Sequence, residues 1–339
     1  MSGFRLVCLL CVFSAVSQAA EITPEQVKSV IQDYRRTLVN EYIFPAKARA
    51  IAAEMDKLDV SDIRTRRELA ARITELVGGY DKHLALVTRV DGKGNPTKEA
   101  KEPWFAQLKR KNSGIRKVEV LAGNIGYIEM WGFDKPTAAS RKALEAAMSL
   151  VEQVDALILD FRKHGGGDSF MLSEFSSYFL PAGTPLHTYK FRHNGSFNFV
   201  TRDTRGSDRF RSMPLYVLIS RDTFSGGESF AYLAKHLKRA TVVGEVSKGG
   251  ANPVNTYRIS HDFEAWVSVG STVNAVTGKN WEHVGVLPQL KTSAEGALNT
   301  AYIRALQYQE KRSKNNRFLL AEIQAQLALI AAPSDVKTP

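Results

Sequence analysis

The sequence predicts an α/β protein with a helical unit in front of it. Between residues 124 and 245, short apolar runs alternate with helical stretches, as layered strands and helices require. Ahead of them, residues 21 to about 90 carry three helical patterns with start signals. A chain of 339 residues is also long enough for a large core and two domains.

Thr23-Pro-Glu-Gln26 has the form of a capping box with proline at the first helical position. Val27, Val30, Ile31, Tyr34 and Leu38 follow at helical spacing. A second helix starts at Pro45 and turns Ala48, Ile51, Ala52 and Met55 inward. A third starts at the capping box Thr65-Arg-Arg-Glu68, buries Leu69, Ile73, Leu76 and Val77, and stops at Gly78-Gly79. The turn-rich stretch 91–103 reads as a linker.

Beyond the linker, strands are expected at 124–130, 156–160, 214–219 and 240–245, and helices at 138–152, 169–178 and 226–238. From about 253 the pattern turns β-rich. The expected catalytic or binding domain is 104–300, followed by a helix over 301–330 and a loose tail over 331–339.

Residues 1–20 stand apart. Arg5 precedes the apolar run Leu6–Phe13, and Ser17-Gln-Ala19-Ala20 is a small-residue cleavage signal. The run is too short to span a bilayer. It reads as a secretory signal peptide cut after Ala19 or Ala20, which implies a periplasmic or secreted protein. Cys8 and Cys11 are the two cysteines and both lie in this segment, so the mature chain would have neither disulfides nor thiolate chemistry. The formal net charge of +11 suits contact with anionic surfaces or acidic substrates, but no nucleic-acid motif accompanies it and the basic runs read first as solvated faces.

Two glycine-rich turns follow apolar strands: Asp160-Phe-Arg-Lys-His-Gly-Gly-Gly-Asp168 and Ser220-Arg-Asp-Thr-Phe-Ser-Gly-Gly-Glu228. Strand ends opening onto helix starts are where α/β sheets bind ligands, and paired N–H groups there can hold an oxyanion. Neither turn has the spacing of a nucleotide-phosphate loop. The seven histidines include no His-x-x-x-His pair, so neither a metal nor a cofactor is expected. Ser225 is either a nucleophile presented at a strand end or a plain helix N-cap. Spacing alone does not select its base.

The runs LILDFRKHGGGDS, SRDTFSGGESFAY with ATVVGE, and AVTGKNWEHVGVLP resemble the serine peptidases of the C-terminal processing, or tail-specific, family. GGYDKHLAL matches that family's Asp-x-His element. The likeness covers roughly residues 22 to 295 and is strongest to the tricorn-core and retinoid-binding-repeat branch. It implies a ClpP/crotonase-like spiral core behind a three-helix domain. It also implies Ser225 as nucleophile, His83 as general base and Glu282 as orienting carboxylate. Gly166, in a register open by one within Gly165–Gly167, and Gly226 would be the oxyanion donors.

Three departures qualify the likeness. The Ser-Lys branch has its lysine twenty-five residues after the serine, where this chain has Gly250; Lys248 is two residues out of register and reads as a loop charge. About forty residues separate His83 from the strand at Asn124, too few for an inserted PDZ domain of about ninety. His164 stands where relatives carry asparagine. The expected partner is a peptide or protein substrate, with room for a homo-oligomer. The rival readings are a binding protein for an apolar ligand or peptide on the same fold, and an esterase with the same machinery.

Overall fold

The computed structural model describes residues 21–89, 102–202 and 206–331. The expected signal segment, most of the linker and the tail lie outside them. The chain runs α1 (Pro24–Glu41), α2 (Pro45–Met55), α3 (Arg66–Gly78), β1 (Ala85–Thr88), α4 (Trp104–Arg110), β2 (Ile115–Leu121), β3 (Ile125–Met130), α5 (Ala138–Leu150) and β4 (Ala156–Asp160). It continues α6 (Ser169–Ser176), β5 (Pro185–Phe191), β6 (Ser196–Val200), α7 (Arg209–Ser212), β7 (Leu215–Ile219), α8 (Gly226–His236) and β8 (Thr241–Gly244). It ends β9 (Val254–Arg258), β10 (Phe263–Ser268), β11 (Gly270–Asn274), β12 (Leu290–Lys291), α9 (Ala297–Arg312) and α10 (Arg317–Ala331).

The fold is mixed α/β with a helical N-terminal region, as expected. Its main sheet has the order β12-β8-β7-β4-β3-β2, parallel except for the β2–β3 pair. Alternate residues of each buried strand serve opposite layers. On β4, Leu157 and Leu159 join the cluster of α5, α6 and α8, whereas Ala156 and Ile158 pack with α9 and α10. Phe133, Phe161, Phe175, Phe179 and Phe230 fill the first layer with edge and tilted ring contacts.

Both capping boxes expected at Thr23 and Thr65 are made. The helical unit nevertheless does not close on itself. Its core of Val27, Tyr34, Leu38, Ile51, Leu69 and Ile73 is completed by Phe263, Ala265 and Val267 of β10. That strand belongs to the antiparallel sheet β1-β10-β9, which pairs Ala85–Thr88 with Phe263–Trp266. A strand some 180 residues away in sequence thus enters the first unit, and periodicity within residues 21–90 carries no trace of it. The region beyond 300 holds two helices rather than one, broken at Ser313–Asn316.

Candidate active site

The parallel strands β4, β7 and β8 end side by side, and the loops that leave their carboxyl ends meet. The loop after β7 carries Ser225. Thr223 fixes that loop from below: its Oγ1 accepts from Ser220 N at 2.9 Å and donates to the Phe161 carbonyl at 2.8 Å. Ser225 itself has φ 51° and ψ −115°, a left-handed backbone that a non-glycine residue adopts at a cost of about 1–3 kcal/mol. It is half-buried at the N-cap of α8, where the helix dipole is positive.

The strain is held by Glu228, which is fully buried. Its Oε2 accepts from Ser225 N at 2.8 Å and from Gly250 N at 3.0 Å, and its Oε1 accepts from Ser247 Oγ at 2.6 Å and Gly249 N at 2.7 Å. Burial pushes its carboxyl above the ordinary range while those four donors pull it back. One carboxylate therefore ties the serine turn to the loop 247–250.

The loop after β4 brings Gly166 against the serine. A Cβ at Gly166, where φ is +97°, would lie 2.7 Å from Ser225 Cβ and 3.2 Å from its Oγ, so only glycine fits. The Gly166 N–H donates to His164 Nδ1 at 3.1 Å. The N–H groups of Gly167 and Gly226 have no partner among the described residues.

His83 comes from the helical unit, on the turn between α3 and β1. The β1–β10 pairing carries this turn to the site. Its ring stacks on Phe224, the neighbour of Ser225, with centroids 4.5 Å apart. No hydrogen bond joins Ser225 Oγ to His83 among the described residues. Asp81 Oδ1 accepts from the His83 backbone N–H at 2.9 Å and lies 3.9 Å from His83 Nδ1. Its other oxygen accepts from Asn252 Nδ2 at 3.0 Å and Tyr42 O–H at 3.3 Å.

Glu282 completes the group from the loop after β11. Its Oε2 accepts from Ala251 N at 2.6 Å and Asn252 N at 3.2 Å, while its Oε1 and His83 Nδ1 are buried without partners. Asp81, His83 and Glu282 each offer an atom within 4.8 Å of the others. This donor set could take a divalent cation, and it is equally the set that manages a proton. Burial pulls His83 below the ordinary imidazole value, against the Asp81 carboxylate. Burial and the Asp81 charge both push Glu282 up. Burial thus favours a neutral His83.

The sequence-predicted Ser225, Gly166, Gly226, His83 and Glu282 gather in one region, with the Gly166 N–H already spoken for. Gly250 explains why no lysine occupies its place. A Cβ there would lie 2.1 Å from the Phe224 ring and 2.8 Å from His83 Cε1, so the histidine and its stacking partner fill the space. Lys248 sets its ammonium 4.9 Å above the Phe224 ring. Sequence reasoning met Asp81 in the Asp-x-His element without giving it a role, and it missed Asn252 and the hub role of Glu228. Only the last had a signal, since Ser225 to Glu228 has capping-box spacing.

The family described as peptidase family S41 matches residues 124–292. Carboxyl-terminal-processing peptidase 2, chloroplastic, of Arabidopsis thaliana is 30% identical over 223 residues, 65% of this chain and 39% of that protein. A carboxyl-terminal-processing protease of Synechocystis sp. is 31% identical over 127 residues, 37% of this chain and 28% of that protein. The chain thus spans well under half the length of either relative. Among solved structures, a protein of Parabacteroides merdae has a TM-score of 0.54 at 17% identity, covering 92% of this chain and 99% of that one. A lipoprotein from Streptococcus agalactiae has a TM-score of 0.53 at 15% identity, covering 83% and 96%. At these identities the two structures speak for the fold alone.

Proposed function

We propose, from the premise that residues 124–292 are a domain of peptidase family S41, that the chain is an exported serine peptidase working through an acyl-enzyme. The observation that carries this reading is Ser225 in a left-handed backbone at the start of α8, with a free Gly226 N–H beside it and His83 stacked on its neighbour. Such a turn costs stability and lifts a side chain clear of the backbone, which a connecting loop has no need to do.

The reaction divides into two steps. His83 Nε2 takes the Ser225 hydroxyl proton as Oγ bonds to the substrate carbonyl carbon. The carbonyl oxygen becomes an oxyanion held by backbone N–H groups of the glycine turns. The C–N bond then breaks, and the amine leaves with the proton from His83. Water repeats the sequence on the ester: His83 takes its proton, the acid forms, and Oγ regains a hydrogen. Asp81, 3.9 Å from Nδ1, and Glu282 beside them stabilise the imidazolium that forms in each step. A neutral resting His83 suits this cycle, because only the free base accepts the proton.

Export rests on the leader-like residues 1–20. No helix of the described residues is long and apolar enough to cross a membrane. The named relatives process carboxyl termini, and the substrate here is assigned only as a peptide chain. The test is incubation of the mature protein with a peptide library, read by mass spectrometry. New termini released by wild type and absent with Ser225→Ala support the peptidase reading. Cleavage of esters alone would make the chain an esterase. No turnover by a folded protein would favour the ligand-binding reading.

A further inference from the structure

Among the described residues, His164 is a buried titratable side chain in contact with both glycine turns that the reaction above does not use. It is wholly inaccessible, with its ring between Phe133 and Phe161 at centroid distances of 4.5 and 4.6 Å. Its Nδ1 accepts the Gly166 N–H at 3.1 Å. Its backbone carbonyl accepts the N–H of Phe224, the residue before Ser225, at 2.9 Å. The ring also lies under the second residue of α8, where a Cβ at Gly227 would stand 2.6 Å from Nδ1. One residue therefore touches the loop after β4 through its side chain and the serine turn through its backbone.

The hydrogen bond fixes the tautomer. Nδ1 accepts, so the proton sits on Nε2, which is buried without a partner. Burial holds the imidazole down to about 3, so it stays neutral throughout the range in which a neutral His83 can act. The Gly166 carbonyl is also engaged, accepting from Phe133 N at 3.0 Å. Both polar groups of Gly166 are thus used internally. The next N–H, that of Gly167, is free, and it lies 3.4 Å from where a Cβ on Gly226 would be. The two unpartnered N–H groups are neighbours.

We infer that His164 is a positioning residue for the oxyanion hole: by binding the Gly166 N–H it commits the N–H groups of Gly167 and Gly226 to the substrate oxygen. The inference rests on the peptidase reading and makes Gly167, not Gly166, the donor from the glycine loop. It also gives a reason for a histidine here. An acceptor is needed at the Nδ1 position, in a site too dry for a charged one.

The test compares His164→Asn, which keeps an acceptor in the place of Nδ1, with His164→Leu, which removes it, and His164→Gln, which carries its acceptor one bond too far. The readouts are kcat, KM and inhibition by a peptide aldehyde, whose tetrahedral adduct fills the oxyanion hole. His164→Leu and His164→Gln are expected to lower kcat about 100-fold, the scale of one lost oxyanion donor. KM should stay within about twofold, and aldehyde affinity should fall in step with kcat. His164→Asn should stay within about threefold of wild type. Unchanged or higher kcat in His164→Leu would overturn the inference, since Gly166 would then be a donor that His164 restrains. If His164→Leu does not fold, equal kcat in the Asn and Gln variants overturns it instead. A wild type that neither cleaves peptides nor needs Ser225 defeats the peptidase reading itself, and this inference with it.

Discussion

At the scale of single residues, the site depends on carboxylates with different tasks. Glu228 accepts four hydrogen bonds and touches no reacting atom, so its removal should act on folding first. Glu228→Ala leaves those donors buried and unpaired, at a cost on the order of 3 kcal/mol. Urea denaturation would reveal it; a loss under about 1 kcal/mol would contradict the hub role. Buried histidines set a second expectation. Burial holds His187 down to about 4, below its unfolded value near 6.5. Its contribution to stability is therefore complete above that unfolded value and is lost as pH falls toward about 4, by about 1.4 kcal/mol per pH unit. Glu282, pushed up by burial, works in the opposite sense, its contribution fading as pH rises. His187→Asn should flatten the acid side of the stability curve relative to wild type, and an unchanged slope would refute the assignment.

At the scale of elements, Gly250 keeps the His83–Phe224 stack together. Gly250→Ala sets a methyl 2.1 Å from the Phe224 ring, so the ring or the loop must move. Overpacking of this kind costs about 1–3 kcal/mol, and here it displaces the base. Turnover should fall more than tenfold in a protein that still folds, and wild-type turnover would show that the stack does not hold His83. The same elements show what sequence can reveal. Strands β4, β7 and β8 are continuous apolar runs closed by turn residues, because both faces are buried, and they were legible. β5, β6 and β9 are partly exposed and mix polar with aromatic residues, so only a general β tendency showed beyond 253, and none at 185–200. β2 is half-exposed and bulged near Arg116, and its pattern is correspondingly blurred. Ser225 and the glycine turns were visible as punctuation after buried strands. His83 was one of seven histidines until a family likeness singled it out. Asn252, which binds Asp81, and Glu282, which lies beside His83, are far away in sequence, and nothing local marks a contact made only by folding.

At the scale of the whole molecule, the helical unit shares parts with the chain that follows it. β10 completes the core of α1–α3, Asn252 binds Asp81, and Arg192 Nη1 donates to the Val39 and Tyr42 carbonyls at 2.8 and 2.9 Å. Tertiary structure thereby brings His83 beside the serine turn. Residues 21–89 expressed alone should lack a cooperative unfolding transition, because Phe263, Ala265 and Val267 would be missing from their core. A sharp transition with dispersed amide resonances would show that the unit is autonomous. On the proposed reading, this architecture activates one serine through one distant histidine. The most direct measurement is labelling of the protein with a fluorophosphonate, with the adduct mapped by mass spectrometry in wild type, Ser225→Ala and His83→Ala. One adduct on Ser225, absent from Ser225→Ala and reduced at least tenfold in His83→Ala, is the predicted result. Undiminished labelling of His83→Ala, or none of a folded wild type, would contradict it.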